Sequence, residues 1–343
     1  MQKLLYYPSF EIEDENWLKF ALLYIDKLRP ITPLSGQTEL SEVTNQLLES
    51  TDLYDFYIPD YKVKASVPPT IVVKSNGSEE YATTDIATII QRERDFKPSK
   101  IWYVVDFRQN LHFTQVFRTA QKAQLISENT ELTHLCFGTV NGKDGKPFKT
   151  RDGGVMQLSE LLDTVTAYSF EKLRMTDNID EATKKDIAEK IGIAAIKFGD
   201  LINHYSKDSV FDIDKFMASE GKTGVYLLYV VAQINSIIRK TDILDIEGLK
   251  LHVVYSESER ELILKISLSG NAFVNAYNDK SPNIICENAY QIAVAFSKFY
   301  HENHILSETD EKKRTSWLAL CTITKEILIK HLDALAIETV DVM

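Results

Sequence analysis

The chain has 343 residues, a length that suits two or three domains and buries a core without covalent staples. Apolar residues make up 44% and charged residues 26%, with only 13 Gly and 9 Pro, which excludes a disordered, collagen-like or linker-dominated chain. The net charge of −11, from 39 Lys+Arg against 50 Asp+Glu, weighs against nonspecific coating of nucleic acid and leaves room for a specific partner held by local basic patches. No apolar run of about 18 residues predicts a membrane span. The opening residues do not read as a secretory signal. Cys136, Cys286 and Cys321 are far apart and fit neither a disulfide framework nor a zinc-ligand spacing, so the expected setting is the reducing cytoplasm.

Residues 1–60 read as a separate segment. A short strand is followed by a helix from Trp17 to Leu28, stopped by Arg29-Pro30, and then by loops. The texture changes near Val67. Thr70 to Lys74 (TIVVK) predicts a strand and Asn76-Gly77 a turn. Thr83-Thr84-Asp85 predicts the entry of a helix that runs to Arg94. Lys100 to Phe107 (KIWYVVDF) is almost wholly apolar, as strands buried on both faces are. Leu111 to Ala123 predicts a helix and Leu132 to Val140 (LTHLCFGTV) a third strand. The order strand–helix–strand–helix–strand predicts a parallel, Rossmann-like sheet. Asn141 to Gly154 carries four glycines and one proline and reads as a basic loop. Beyond it, Leu158 to Leu173, Ile179 to Ile202, Phe216 to Arg239, Ile284 to Phe299 and Lys312 to Leu335 have helical periodicity, while Leu251 to Leu268 fits helix or strand. The fold class expected is α/β plus all-α, a partial Rossmann-like parallel sheet followed by a helical bundle.

Five long runs carry a family resemblance. They are YATTDIATI (Tyr81 to Ile89), YVVDFRQNLHFTQVF (Tyr103 to Phe117), LTHLCFGTVNGKDGKPFKTRDGGVM (Leu132 to Met156), GIAAIKFGDL (Gly192 to Leu201) and EGKTGVYLLY (Glu220 to Tyr229). With the closing VDVM, they resemble in order the second half of a class I arginyl-tRNA synthetase, from about Val67 to the last residue. The opening LLYYPSFEIEDENWLKFALLYIDKL resembles instead the start of an uncharacterised bacterial family. The expected domains are residues 1–60, unrelated; residues 61–222, the second half of the catalytic domain with connecting helices; and residues 223–343, a helical anticodon-binding domain.

The resemblance implies an ATP-dependent arginine–tRNA ligase. It places arginine against Tyr81, Asp85 and Gln109. Tyr81 and Asp85 are four apart on a helix and can face the same way, and a carboxylate matches the planar donor fork of a guanidinium. The bland reading of Asp85 is a first-turn carboxylate favoured by the helix dipole. The resemblance assigns adenine to the backbone of Phe137, Gly138, Thr139 and Val140. It puts Lys146, Lys149 and Arg151 in the mobile loop that closes over the triphosphate, where cations stabilise the developing charge. His112 is a site-wall histidine or a satisfied core histidine, and neither it nor His134 has the neighbours of a metal ligand. ATP is expected as substrate with Mg²⁺ as its counter-ion, and no bound metal site is expected. For tRNA, the candidates are Tyr226, Tyr229, Arg239 and Arg314, although aromatics at helical spacing are more often core.

Two departures qualify these expectations. The HIGH motif of class I synthetases does not occur in the 343 residues, and His301-Glu-Asn-His304 replaces neither it nor a zinc motif. After LLY, the family's Tyr/Ala-His-Ala-Arg run is Val230-Val231-Ala232-Gln233. The chain is therefore expected to charge tRNA poorly by itself. The expected partners are arginine, arginine tRNA and a separate amino-terminal synthetase half, with no membrane and no DNA. The alternatives are a non-catalytic tRNA-binding module and a truncated or misjoined relic.

Overall fold

A computed structural model describes residues 67–68, 70–72, 74, 78–142, 157–173, 180–241 and 248–343. The expectations for residues 1–60 and for the basic loop with Lys146, Lys149 and Arg151 lie outside the described residues. The chain divides into two compact units between Phe137 and Gly138.

The first unit contains α1 (Tyr81–Phe96), β1 (Lys100–Asp106), a 3₁₀ turn (Phe107–Gln109), α2 (Asn110–Lys122) and β2 (Glu131–Phe137). β1 and β2 pair in parallel, from Lys100 opposite Glu131 to Asp106 opposite Phe137. Parallel neighbours need a long crossover, and α2 is that crossover. Ile86, Ile89 and Ile90 of α1 and Phe113, Val116 and Ala120 of α2 join Tyr103 in one buried cluster, with Ile101, Val105 and Leu132 packed against it. α1 stops where Lys97 turns into the left-handed region (φ 43°) and sends its N–H to the Glu93 carbonyl.

Two expectations fail here. Of the expected strand Thr70–Lys74, residues 70–72 and 74 are not strand. The Val72 carbonyl instead accepts the Thr83 hydroxyl at the start of α1, and the Val72 side chain is buried in the helix-lined core. β1 is not buried on both faces. Tyr103 is buried, whereas Val104 is 61% exposed, because α1 and α2 both pack on the Tyr103 face.

The second unit begins with β3 (Val140–Asn141), which pairs in parallel with β4 (Ser209–Val210). Its helices are α3 (Leu158–Leu173), α4 (Glu181–Leu201), α5 (Ile213–Phe216), α6 (Gly224–Lys240), α7 (Glu257–Ser267), α8 (Ser269–Asp279), α9 (Asn283–Glu302) and α10 (Glu311–Ala334). One core runs from Val165 of α3 through Phe198, Leu227, Leu262, Phe296 and Leu328 to Val340 in the closing segment. α3 and α4 thus share a core with the later helices, and the division between units falls inside the expected segment 61–222.

The expected helix Phe216–Arg239 is two pieces. Thr223 stops an early start, because its hydroxyl donates to the Ala218 carbonyl (2.7 Å) and accepts the Tyr226 N–H (3.1 Å) as an N-cap. Of residues 251–268, 251–255 are neither helix nor strand, and α7 follows, whose Ser256 cap accepts the Glu259 N–H at 3.2 Å. α8 was not read from the sequence, because Asn and Gly interrupt its apolar pattern.

Gly224 opens α6 against α4. A Cβ there would collide with the Ala194 carbonyl, so the close approach requires glycine. Gly224→Ala is expected to cost about 1–3 kcal/mol by overpacking, read as a lower urea midpoint at unchanged slope.

His331 is fully buried between α10 and α9. Its Nδ1–H donates to the Ile327 carbonyl (2.7 Å) and its Nε2 faces the Asn288 amide (2.7 Å). Burial pulls this imidazole below its ordinary 6.5. The unfolded chain then takes up the proton first, so the contribution is complete above pH 6.5 and is lost as pH falls through the depressed value. Stability should drop from pH 7.5 to pH 5.5 in urea melts, and His331→Gln should flatten that drop.

Candidate active site

The carboxyl ends of β1 and β2 lie side by side, where parallel sheets build ligand sites. Asp106 ends β1 and caps the 3₁₀ turn that follows. Its carboxylate accepts the Arg108 backbone N–H (2.8 Å) and the Arg108 Nε–H and Nη2–H (both 2.8 Å). These bonds from Arg108 hold the Asp106 carboxyl down at about 2.

Gln109 follows directly as the N-cap residue of α2, exposed at the strand end. Asn110 beside it faces His134 of β2 at 3.4 Å, and the His134 Nε2–H donates to the Val105 carbonyl at 3.2 Å. His134 thereby joins the first turn of α2 to both strands.

Tyr81 and Asp85 lie on α1. Tyr81 begins the helix and is 84% exposed. Asp85, one turn on, accepts a bond at Oδ2 from the Nε2–H of His112 on α2, at 2.6 Å. His112 thus pairs across the two helices with Asp85, the carboxylate expected to contact arginine. Behind this pair, Arg92 donates to the Tyr103 hydroxyl at 3.0 Å, and burial pushes that phenol up to about 12.

The run Phe137, Gly138, Thr139 and Val140 does not continue β2. Phe137 ends the strand and the first unit, and is 38% exposed. In the second unit, the Gly138 N–H donates to the Tyr205 carbonyl (2.9 Å), and a Cβ at Gly138 would strike the Lys207 backbone. The Thr139 N–H (2.7 Å) and hydroxyl (2.8 Å) both donate to Asp208, which lowers that carboxyl. Val140 then starts β3. Two backbone amides of the run expected to hold adenine, those of Gly138 and Thr139, are thus engaged within the chain. Asp208 was missed by sequence reasoning, since nothing local marks a partner 69 residues away.

The tRNA candidates are spread over the second unit. The Tyr226 hydroxyl meets Ser297 Oγ at 2.8 Å and its ring meets Tyr290 edge-on, so it is half-buried and packed on α9. Tyr229 is 46% exposed on the same helix. Arg239 is exposed and its Nη1 donates to the Asp341 carbonyl at 3.1 Å. Arg314 is half-buried on α10. Among the described residues, no group of three His, Cys, Asp or Glu could hold a metal ion, and no helix is long and apolar enough to cross a membrane.

Residues 50–213 match the family described as tRNA synthetases class I (R), catalytic domain, and residues 227–343 match the DALR anticodon binding domain. These matches define a class I synthetase catalytic segment followed by a helical anticodon-binding domain. The arginine–tRNA ligase of Alkaliphilus oremlandii is 46% identical over 281 residues, covering 81% of this chain and 47% of the relative. That of Agathobacter rectalis is 42% identical over 287 residues, covering 81% and 48%. Residues 50–213 therefore belong to the catalytic-domain family of class I arginyl-tRNA synthetases, and residues 227–343 to the DALR anticodon-binding family. The chain spans about half the length of the curated relatives it matches. The fold is shared with arginyl-tRNA synthetases of Plasmodium falciparum (TM-score 0.69, 24% identity, 96% of this chain and 60% of that one) and Thermus thermophilus (TM-score 0.69, 19% identity, 96% and 58%).

The Asp106 carboxyl should titrate near 2 by carbon-detected NMR, and Arg108→Ala should return it toward 3.8. Because the folded value is depressed, the stability contributed by the pair is complete above pH 3.8 and disappears as pH falls through about 2.

Proposed function

We propose that this chain serves arginine–tRNA ligation, supplying the arginine contacts, part of the ATP site and the tRNA-binding helical domain. The arginine carboxylate attacks the α-phosphate of ATP, giving arginyl-adenylate and pyrophosphate. The 3′-terminal hydroxyl of the tRNA then attacks the acyl group and releases AMP. Asp85 receives the substrate guanidinium, Tyr81 lies beside it on the same helix and Gln109 adds a polar contact from the strand end. Lys146, Lys149 and Arg151 close over the phosphates. The adenine contact falls to the Phe137 ring and the remaining backbone groups of the run, since the Gly138 and Thr139 amides are engaged. Tyr229 offers an exposed ring for stacking on a splayed base.

The observation that carries this reading is the succession of two family matches, backed by 46% identity over 281 residues. The HIGH histidines of the family's phosphate site do not occur in these 343 residues. Losing such transition-state contacts costs about a hundredfold or more in rate. The 343-residue chain alone is thus expected to arginylate tRNA at least ~10²-fold more slowly than the same chain joined by an amino-terminal synthetase half.

A second reading, a non-catalytic tRNA-binding module, is favoured by one observation: the second unit has a continuous core of its own. Binding to arginine tRNA and to a non-cognate tRNA, at one fixed salt concentration, tests what the two readings share. A cognate preference is expected, and its absence would sink both. Restoration of charging by an amino-terminal half then favours the ligase over the module.

A further inference from the structure

We propose that His112 is a positioning residue for arginine selection: it locks the plane of the Asp85 carboxylate so that Oδ1 is presented to the guanidinium. This inference rests on the reading of Asp85 as the arginine contact. Asp85 lies on α1 with its side chain 32% exposed, and a carboxylate so placed rotates unless something holds it. His112 does so from a different helix. Its Nε2–H meets Oδ2 at 2.6 Å, and no hydrogen bond to Oδ1 occurs among the described residues. The imidazole is itself braced. Its ring sits edge-on against Phe113 (5.1 Å, 80°), a buried residue of the first-unit core. Phe113 in turn lies against His134, with ring centroids 5.0 Å apart. His134 binds the Val105 carbonyl and faces Asn110, next to Gln109.

The orientation of Asp85 is thus coupled to the turn that carries Gln109. A guanidinium needs its acceptors fixed in one plane, since its donors form a rigid fork. A carboxylate ordered before the ligand arrives spares the ligand that ordering cost. Lysine, whose ammonium donors rotate, gains less from a fixed plane. His112 therefore acts on selectivity as well as affinity.

Titration of the full chain with L-arginine and L-lysine, followed by NMR, tests this. His112→Phe keeps a ring on Phe113 and removes the donor, whereas His112→Gln restores a donor. His112→Phe is expected to weaken arginine binding about tenfold and lysine binding less, with His112→Gln recovering most of the loss. Added to Asp85→Asn, His112→Phe should cost nothing further. Equal arginine affinity in wild type and His112→Phe, or full additivity in the double variant, overturns the positioning role while Asp85 stands. Arginine binding unchanged by Asp85→Asn, or absent from the wild type, overturns the arginine reading of the site and this inference with it. If His112→Phe fails to fold, His112→Gln against His112→Asn, whose shorter amide falls short of Asp85, gives the same comparison: equal affinity in those two overturns the role.

Discussion

The parallel pairing of β1 and β2 is the constraint on which the first unit depends. Parallel strands cannot be joined by a tight turn, so the chain must cross back, and it does so through α2. That crossover buries Phe113, Val116 and Ala120 against Tyr103 and the α1 isoleucines. It also sets the carboxyl ends of both strands in one row. Asp106, Gln109 and Phe137 stand at that edge because the register runs from Lys100 opposite Glu131 to Asp106 opposite Phe137. The Asp85–His112 bond follows from the same packing, since it spans the two helices that the sheet face brings together.

The second unit is organised by close helix approach around one core. Gly224 lets α6 come against the α4 backbone, and the Thr223 cap fixes where α6 starts. The closing segment belongs to this core. Ile337 and Val340 are buried, Lys197 donates to the Ala336 carbonyl and Arg239 to the Asp341 carbonyl. Arg239 therefore spends one donor of its guanidinium, at Nη1, on its own chain. Tyr226 likewise spends its hydroxyl on Ser297, whereas Tyr229 on the same helix keeps an open ring.

Much of the helical half was legible in the sequence. α3 spans Leu158–Leu173, as its apolar spacing implies, and α10 lies within a residue of the expected bounds. Helices with a strong apolar face announce themselves because the period is local. The strand-like run Thr70–Lys74 misled, because a short apolar run fits any buried segment and only its partner decides. That partner turned out to be a helix start, through Thr83. The Phe137–Val140 run misled in the same way, since its β-rich composition hides the break imposed by Tyr205, Lys207 and Asp208.

The sequence by itself determined the family likeness, the β1–α2–β2 order, the long helices of the second unit and the residue types at the candidate site, because these depend on local pattern and on long runs in order. Tertiary structure alone decided which groups are already occupied. Asp85 finds His112 across 27 residues, Thr139 finds Asp208 across 69 and Arg239 finds Asp341 across 102. A hydrogen bond is specified by distance and angle in space, and at such separations along the chain only the packing of the core fixes either.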